Sequence, residues 1–269
     1  MFPLFNIYSL CEYCLSHRAN INAKNRDDKN ALHYAAMKNS KEIAKFLVSN
    51  NIDITARDIH GFTALHYAVK FNSIETLETI VSNSSSIDYR DADRNTALHI
   101  AARNNNMEIL EMLIKHGADV NKWGNHAYTA LHYATFNNCY KIVKYLVLNG
   151  VDMKEENLFS NHALQLTIKE NYVEIAKFLI SHGADFDSGT TPLSDAIIYD
   201  RPEITLYLLI NGADIFGKNY FGRTIFEMTE REKSHLSYKI VLLFIVRALN
   251  YKLLPFILIS YIIFYYFIK

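Results

Sequence analysis

Glycine and proline are scarce in this chain, nine and four among 269 residues. A protein of many strands and tight hairpins needs more of both, which argues against a strand-and-turn architecture. Three cysteines cannot form a disulfide scaffold, and free thiols suit a reducing compartment. An excess of either charge is missing too, since 28 basic and 28 acidic side chains cancel. No chain-wide positive field exists to grip a phosphate backbone, so no nucleic acid is expected as a partner. The balance is uneven, however: residues 240–269 hold Arg247, Lys252 and Lys269 and no acid. A secretory signal is also absent. Met1 to His17 lacks a basic leader, and Asn6 and Glu12 break its apolar stretch. A cytoplasmic protein is expected, and Asn83-Ser84-Ser85 reads as a polar turn. Half of the residues are hydrophobic, which excludes a disordered or collagen-like chain.

What the chain has is a period. Ala31-Leu32-His33 recurs as Ala64-Leu65-His66, Ala97-Leu98-His99 and Ala130-Leu131-His132, each step being 33 residues. The phase continues through Ala163-Leu164-Gln165. Asn39, Asn72, Asn105, Asn138 and Asn171 keep the same step, and asparagine tolerates the left-handed backbone with which helices end. Gly117, Gly150, Gly183 and Gly212 mark a second stop. Between the stops lie runs such as Ile109-Leu110-Glu111-Met112-Leu113-Ile114, whose apolar spacing predicts a helix buried on a wide face. Each unit therefore reads as a short helix, a longer helix and a polar link. Such a pair cannot bury both faces alone, but like units stacked in series can, and an all-α solenoid follows.

Thr63-Ala64-Leu65-His66-Tyr67-Ala68, its copies from Thr96 and Thr129, and His116-Gly117-Ala118-Asp119-Val120-Asn121 resemble the ankyrin repeat. The resemblance covers about residues 1–244. It implies stacked antiparallel helix pairs with short β-hairpin fingers and a concave binding surface. In that frame residues 1–24 are a partial repeat, and repeats follow at 25–57, 58–90, 91–123, 124–156, 157–185 and 186–218, with a degenerate unit at 219–244. The step from His162 to Thr191 is four residues short, so the finger near Phe186 to Gly189 is expected to be truncated. Repeat 58–90 has Thr76 and Thr79 in place of core aliphatics and is expected to be the weakest interior unit.

The four registered histidines are the most tempting chemistry. Packed helices lie roughly 8–10 Å apart and metal ligands about 2 Å from their ion, so four histidines one unit apart cannot share one. In ankyrin repeats this histidine ties neighbouring turns together. Cys11-Glu12-Tyr13-Cys14 lacks a second ligand pair, and its cysteines are expected to pack as small hydrophobes in an apolar helix from Tyr8 to Ser16. No nucleophile elbow, phosphate-binding glycine loop or His-Glu-x-x-His motif is present. The chain reads as a non-catalytic protein without metal or cofactor.

Surface remains. Ankyrin partners are held by finger tips and exposed positions of the first helix. Here these carry Arg57, Ile59, His60, Phe62, Lys70 and Phe71, then Arg90, Asp93, Asn95 and Arg103. Trp123, Asn125, His126, Tyr128, Phe136 and Asn137 follow. Five aromatics at nominally exposed sites suggest a contact patch for another protein, to which the chain would bind as a monomer. The competing reading is that Phe71 and Phe136 fold back over the helix ends. The tail 245–269 differs in kind. From Leu253 to Ile268 it holds sixteen residues, fourteen of them aliphatic or aromatic. A transmembrane helix at 253–268, making the protein a C-terminally anchored scaffold, is one reading; a cap on the last repeat and a non-native end are the others.

Overall fold

The computed structural model describes residues 7–154, 162–186, 192–219, 221–228, 232–233 and 235–250. Its helices begin where the repeated string places a capping pair. In Thr63 the backbone N–H donates to Nδ1 of His66 at 3.1 Å, and the hydroxyl lies 2.9 Å from the same nitrogen. Thr96 with His99 and Thr129 with His132 repeat this arrangement. Asn30 with His33 does so with an amide in place of the hydroxyl. Two otherwise orphaned polar groups at the helix start are thereby satisfied. The first helices end as short elements because the predicted asparagines turn the chain: Asn39, Asn72, Asn105, Asn138 and Asn171 have φ of 50°, 55°, 54°, 55° and 61°. Gly117, Gly150, Gly183 and Gly212 end the second helices with φ of 79–90°.

The chain divides into two compact units, Met1–Ser160 and Asn161–Lys269. In the first, α1 (Ile7–Ser16) packs on α3 (Lys41–Ser49), the partner of α2 (Ala31–Met37). The pairs α4 (Ala64–Lys70) with α5 (Ile74–Asn83), α6 (Ala97–Arg103) with α7 (Met107–Lys115), and α8 (Ala130–Phe136) with α9 (Tyr140–Leu148) follow. First helices pack on first helices and second on second. Leu32, Leu65, Leu98 and Leu131 from the repeated string, with Ile109, Leu110, Leu113, Ile142 and Leu146, are almost completely buried. Each such side chain contributes about 1.5–3 kcal/mol. The second unit contains α10 (Ala163–Glu170), α11 (Val173–Ser181), α12 (Pro192–Ile198) and α13 (Pro202–Ile210), stacked in the same manner. In its last repeat the first helix shrinks to a 3-10 turn at Ile225–Glu227, and α14 (Leu236–Asn250), of 15 residues, packs on α12 and α13.

The structure is an all-helical repeat solenoid, and it corrects the sequence reading in three details. Among the described residues the finger loops contain no strand. They are hydrogen-bonded turns joined by single backbone bonds, Ile59 N–H to Asp27 C=O and Ala92 N–H to His60 C=O, too few to make a ladder. Cys14 is exposed and Cys11 half-buried on α1, so this cysteine pair is not core. Asn95 is buried rather than exposed. In repeat 58–90, Thr76 is buried and its hydroxyl has no hydrogen-bond partner, while Thr79 donates back to the Glu75 carbonyl. The shortened finger beyond Phe186 and the segment 253–268 lie outside the described residues. No described helix is long and apolar enough to cross a membrane.

Candidate protein-binding surface

Four of the described finger loops open on an Asx side chain that folds the loop around itself. Asp58 Oδ1 accepts from the His60 and Phe62 amides at 2.9 and 2.8 Å. Its Oδ2 accepts from the Tyr67 hydroxyl at 2.7 Å. Burial works to raise the Asp58 carboxyl, but the Tyr67 hydroxyl and the two amides outweigh it and hold the pKa below the usual range. Asn25, Asp91 and Asn219 close their loops in the same way. The fourth residue of each loop is left-handed whatever its type: Asp28, Gly61, Arg94, Ala127 and Gly222 have φ of 57–74°.

The loop at 124–129 lacks this acid. Gly124 occupies the Asx position, and Asn95 of the preceding repeat fills the gap. Its Oδ1 accepts from the Asn125 amide at 3.2 Å and from the Tyr133 hydroxyl at 3.0 Å. A Cβ on Gly124 would lie 2.5 Å from that oxygen and 3.0 Å from Cδ2 of His99, so a side chain there would have to displace Asn95. The histidine register is kept. His33 and His66 reach through Nε2 to the carbonyls of Phe62 and Asn95, 29 residues on, and His66 and His99 each face a pair of backbone carbonyls, Asn95 with Tyr89 and Lys122 with Tyr128. Nδ1 accepts a backbone N–H in each case, so the ring proton sits on Nε2 and a second proton would face a donor. Burial accordingly pushes the pKa of His66 and His99 down to about 4, and lowers that of His33.

Against this frame the candidate residues separate. Phe62 and Tyr128 are half-buried structural rings. Phe62 packs against His66 and Tyr67, with the Lys70 ammonium over its face. Tyr128 packs against His132 and Tyr133. Arg57 is exposed, but its guanidinium donates to the Arg90 carbonyl at 2.9 Å, as Lys24 does to the Arg57 carbonyl one repeat earlier. Arg90 itself is half-buried. Phe71 is 48 % exposed although it stacks on Tyr67, so folding back covers only part of it. Trp123 and Phe136 are 51 % and 56 % exposed. Ile59, His60, Asp93, Arg103, His126 and Asn137 are also exposed, and Asn125 is half-buried. Sequence reasoning missed Tyr34, which is exposed on α2 and binds the Asn25 side chain through its hydroxyl. Its signal was present, because it shares a register with Tyr67 and Tyr133. Among the described residues no group of three His, Cys, Asp or Glu side chains is placed to hold a metal.

A family model described as ankyrin repeats, in three copies, matches residues 4–91, 84–157 and 142–219. The crystal structure of the human ASB11 ankyrin repeat domain is similar to this chain at 20 % identity and a TM-score of 0.66. That likeness covers 80 % of this chain and 98 % of the human one. The chain matches no curated protein.

Proposed function

Because the chain belongs to the ankyrin repeat family, whose repeats are generally protein–protein interaction modules, we propose that it is a non-catalytic, monomeric, cytoplasmic binding protein. It holds another protein against the finger loops and first-helix ends of repeats 58–156. The observation that carries this reading is the exposure of Phe71, Trp123 and Phe136 together with that of Ile59, His60, Asp93, Arg103 and His126. Large rings half open to water and bordered by charge are what interface anchors look like. Phe62, Tyr128 and Arg90 support the surface from beneath.

Trp123 is the only tryptophan, so its emission reports directly on occupancy of the patch. Adding a captured partner is expected to shift that emission to the blue. Trp123→Ala is expected to weaken binding by about 2 kcal/mol, roughly thirtyfold, with the melting temperature nearly unchanged. A partner bound equally well by a variant carrying both Trp123→Ala and Phe136→Ala would remove the patch.

A further inference from the structure

The second helices carry an internal control on what their outer face is for. Its middle position reads Lys45, Glu78, Glu111, Lys144 and Lys177 in successive repeats, and then Leu206. One helical turn later it reads Ser49, Ser82, Lys115, Leu148 and Ser181, and then Ile210. The next helix continues the change. The Ser237 amide donates to Asp200 Oδ1 as the Thr76 amide donates to Asn39 Oδ1, 37 residues apart in both cases, which sets the register of α14. At the outer positions α14 then places Leu236, Lys239 and Leu243, with Val246 beyond them. Leu206 is 44 % exposed, Ile210 66 %, Leu236 55 %, Leu243 69 % and Val246 52 %. Ser237, Tyr238, Val241 and Ile245 on the other side of α14 are buried. Five large apolar side chains open to water on one face mark a contact surface.

Charge selects the occupant. Lys239 stands exposed among these apolar side chains, on a helix that contains no acid. Among the described residues of α13 and α14 the single acid, Glu203, is paired with Lys177 at 2.5 Å. A second copy related by a two-fold axis would bring Lys239 of each copy to the same face with no acid to meet it. A bilayer with anionic headgroups offers hydrocarbon to the leucines and negative charge to Lys239 at once. We propose that the outer face of α13 and α14 is a peripheral docking surface for anionic lipid bilayers. The surface is built into the folded repeats and is separate from any anchoring by residues 253–268.

Co-sedimentation of the full chain with vesicles of phosphatidylcholine, with and without phosphatidylserine, tests this. Binding is expected with phosphatidylserine, and it should weaken as salt is raised. Leu206→Glu with Leu243→Glu is expected to reduce binding by about tenfold or more, since both apolar anchors are lost. Lys239→Glu is expected to narrow the preference for phosphatidylserine. Ile262→Glu with Ile263→Glu, a control in the apolar tail, should leave phosphatidylserine-dependent binding within about twofold if the folded face suffices. The proposal is overturned if the tail pair abolishes binding while the face pair does not. It is overturned equally if no vesicle is bound and Leu243→Glu lowers the melting temperature, the mark of a face covered by the chain itself. Self-association removed by Leu243→Glu without vesicle binding would also end it. None of these outcomes touches the finger surface, whose readout is Trp123.

Discussion

The loops at 58–63 and 124–129 occupy the same place in the solenoid, two repeats apart, and reach the same shape by opposite means. The first is self-contained: Asp58 closes it, Tyr67 latches the acid, and Gly61 supplies the left-handed residue at φ 74°. The second has lost the acid and the glycine. Asn95 reaches in from the repeat before, and two successive non-glycine residues, His126 and Ala127, stand at φ 53° and 57°. Left-handed backbone costs an L-residue roughly 1–2 kcal/mol. The loop beside Trp123 is thus held by its neighbour and carries strain, whereas the loop of repeat 58–90 is held by itself. A repeat array can therefore lose a motif residue in one unit when a side chain of the adjoining unit takes over its bonds.

Acid should break both loops together, with the largest effect. His66 and His99 fold as neutral rings with pKa values of about 4, against an ordinary value of 6.5. Between those values the unfolded chain binds protons that the folded chain excludes, so stability rises with pH across that window. It is fully present above 6.5 and lost as pH falls towards 4. Each ring is worth roughly 3 kcal/mol at most over this range. Urea midpoints measured from pH 7 down to pH 4 should fall steeply, and His99→Gln should flatten part of the fall. A midpoint constant down to pH 4 would mean that the rings are not buried neutral.

Breaking the borrowed closure comes next. Gly124→Ala puts a methyl group 2.5 Å from Asn95 Oδ1 and should destabilise by about 3 kcal/mol, as overpacking does. Gly124→Asp, which supplies the carboxylate that Asp58 and Asp91 provide in their loops, should be no better alone. It should regain stability when combined with Asn95→Gly, which vacates the space. Additive losses in the two single variants and the pair, measured by chemical unfolding, would show that Asn95 does not stand in for the acid.

Much of this was legible beforehand, and the limits are instructive. The period, the capping pairs from Asn30 to Thr129 and the left-handed asparagines are local patterns, and each recurs where the register places it. Asn95 reads as surface because its role lies 29 and 30 residues away, at Gly124, whose importance is the side chain it lacks, and at the Asn125 amide. Phe62 and Tyr128 were read as exposed because their backbone positions are. Their rings turn back onto the histidine and tyrosine of the same repeat, which no spacing rule encodes. The apolar outer face of α13 is legible too, since Leu206 replaces lysine or glutamate at its register, but it lies on a second helix, away from the first-helix positions and finger tips that hold ankyrin partners.

The smallest expected effect is the most direct measure of strain. Ala127→Gly removes the Cβ that opposes φ of 57°, while a glycine at this position is already accepted in two other loops, at Gly61 and Gly222. Relief of the left-handed penalty, set against the extra backbone freedom glycine gains in the unfolded chain, leaves a net stabilisation of about 0.5–1 kcal/mol. The mirror change, Gly61→Ala, should destabilise by more than that. It adds the same penalty at φ 74° and brings the new methyl to 2.8 Å from the Ala92 amide nitrogen, which is backbone and cannot step aside. Opposite signs at these equivalent positions, read from thermal unfolding of the two variants, are the expected outcome. If Ala127→Gly destabilises as Gly61→Ala does, the loop at 124–129 is relaxed as it stands, and the contrast between the two loops is one of bonding alone.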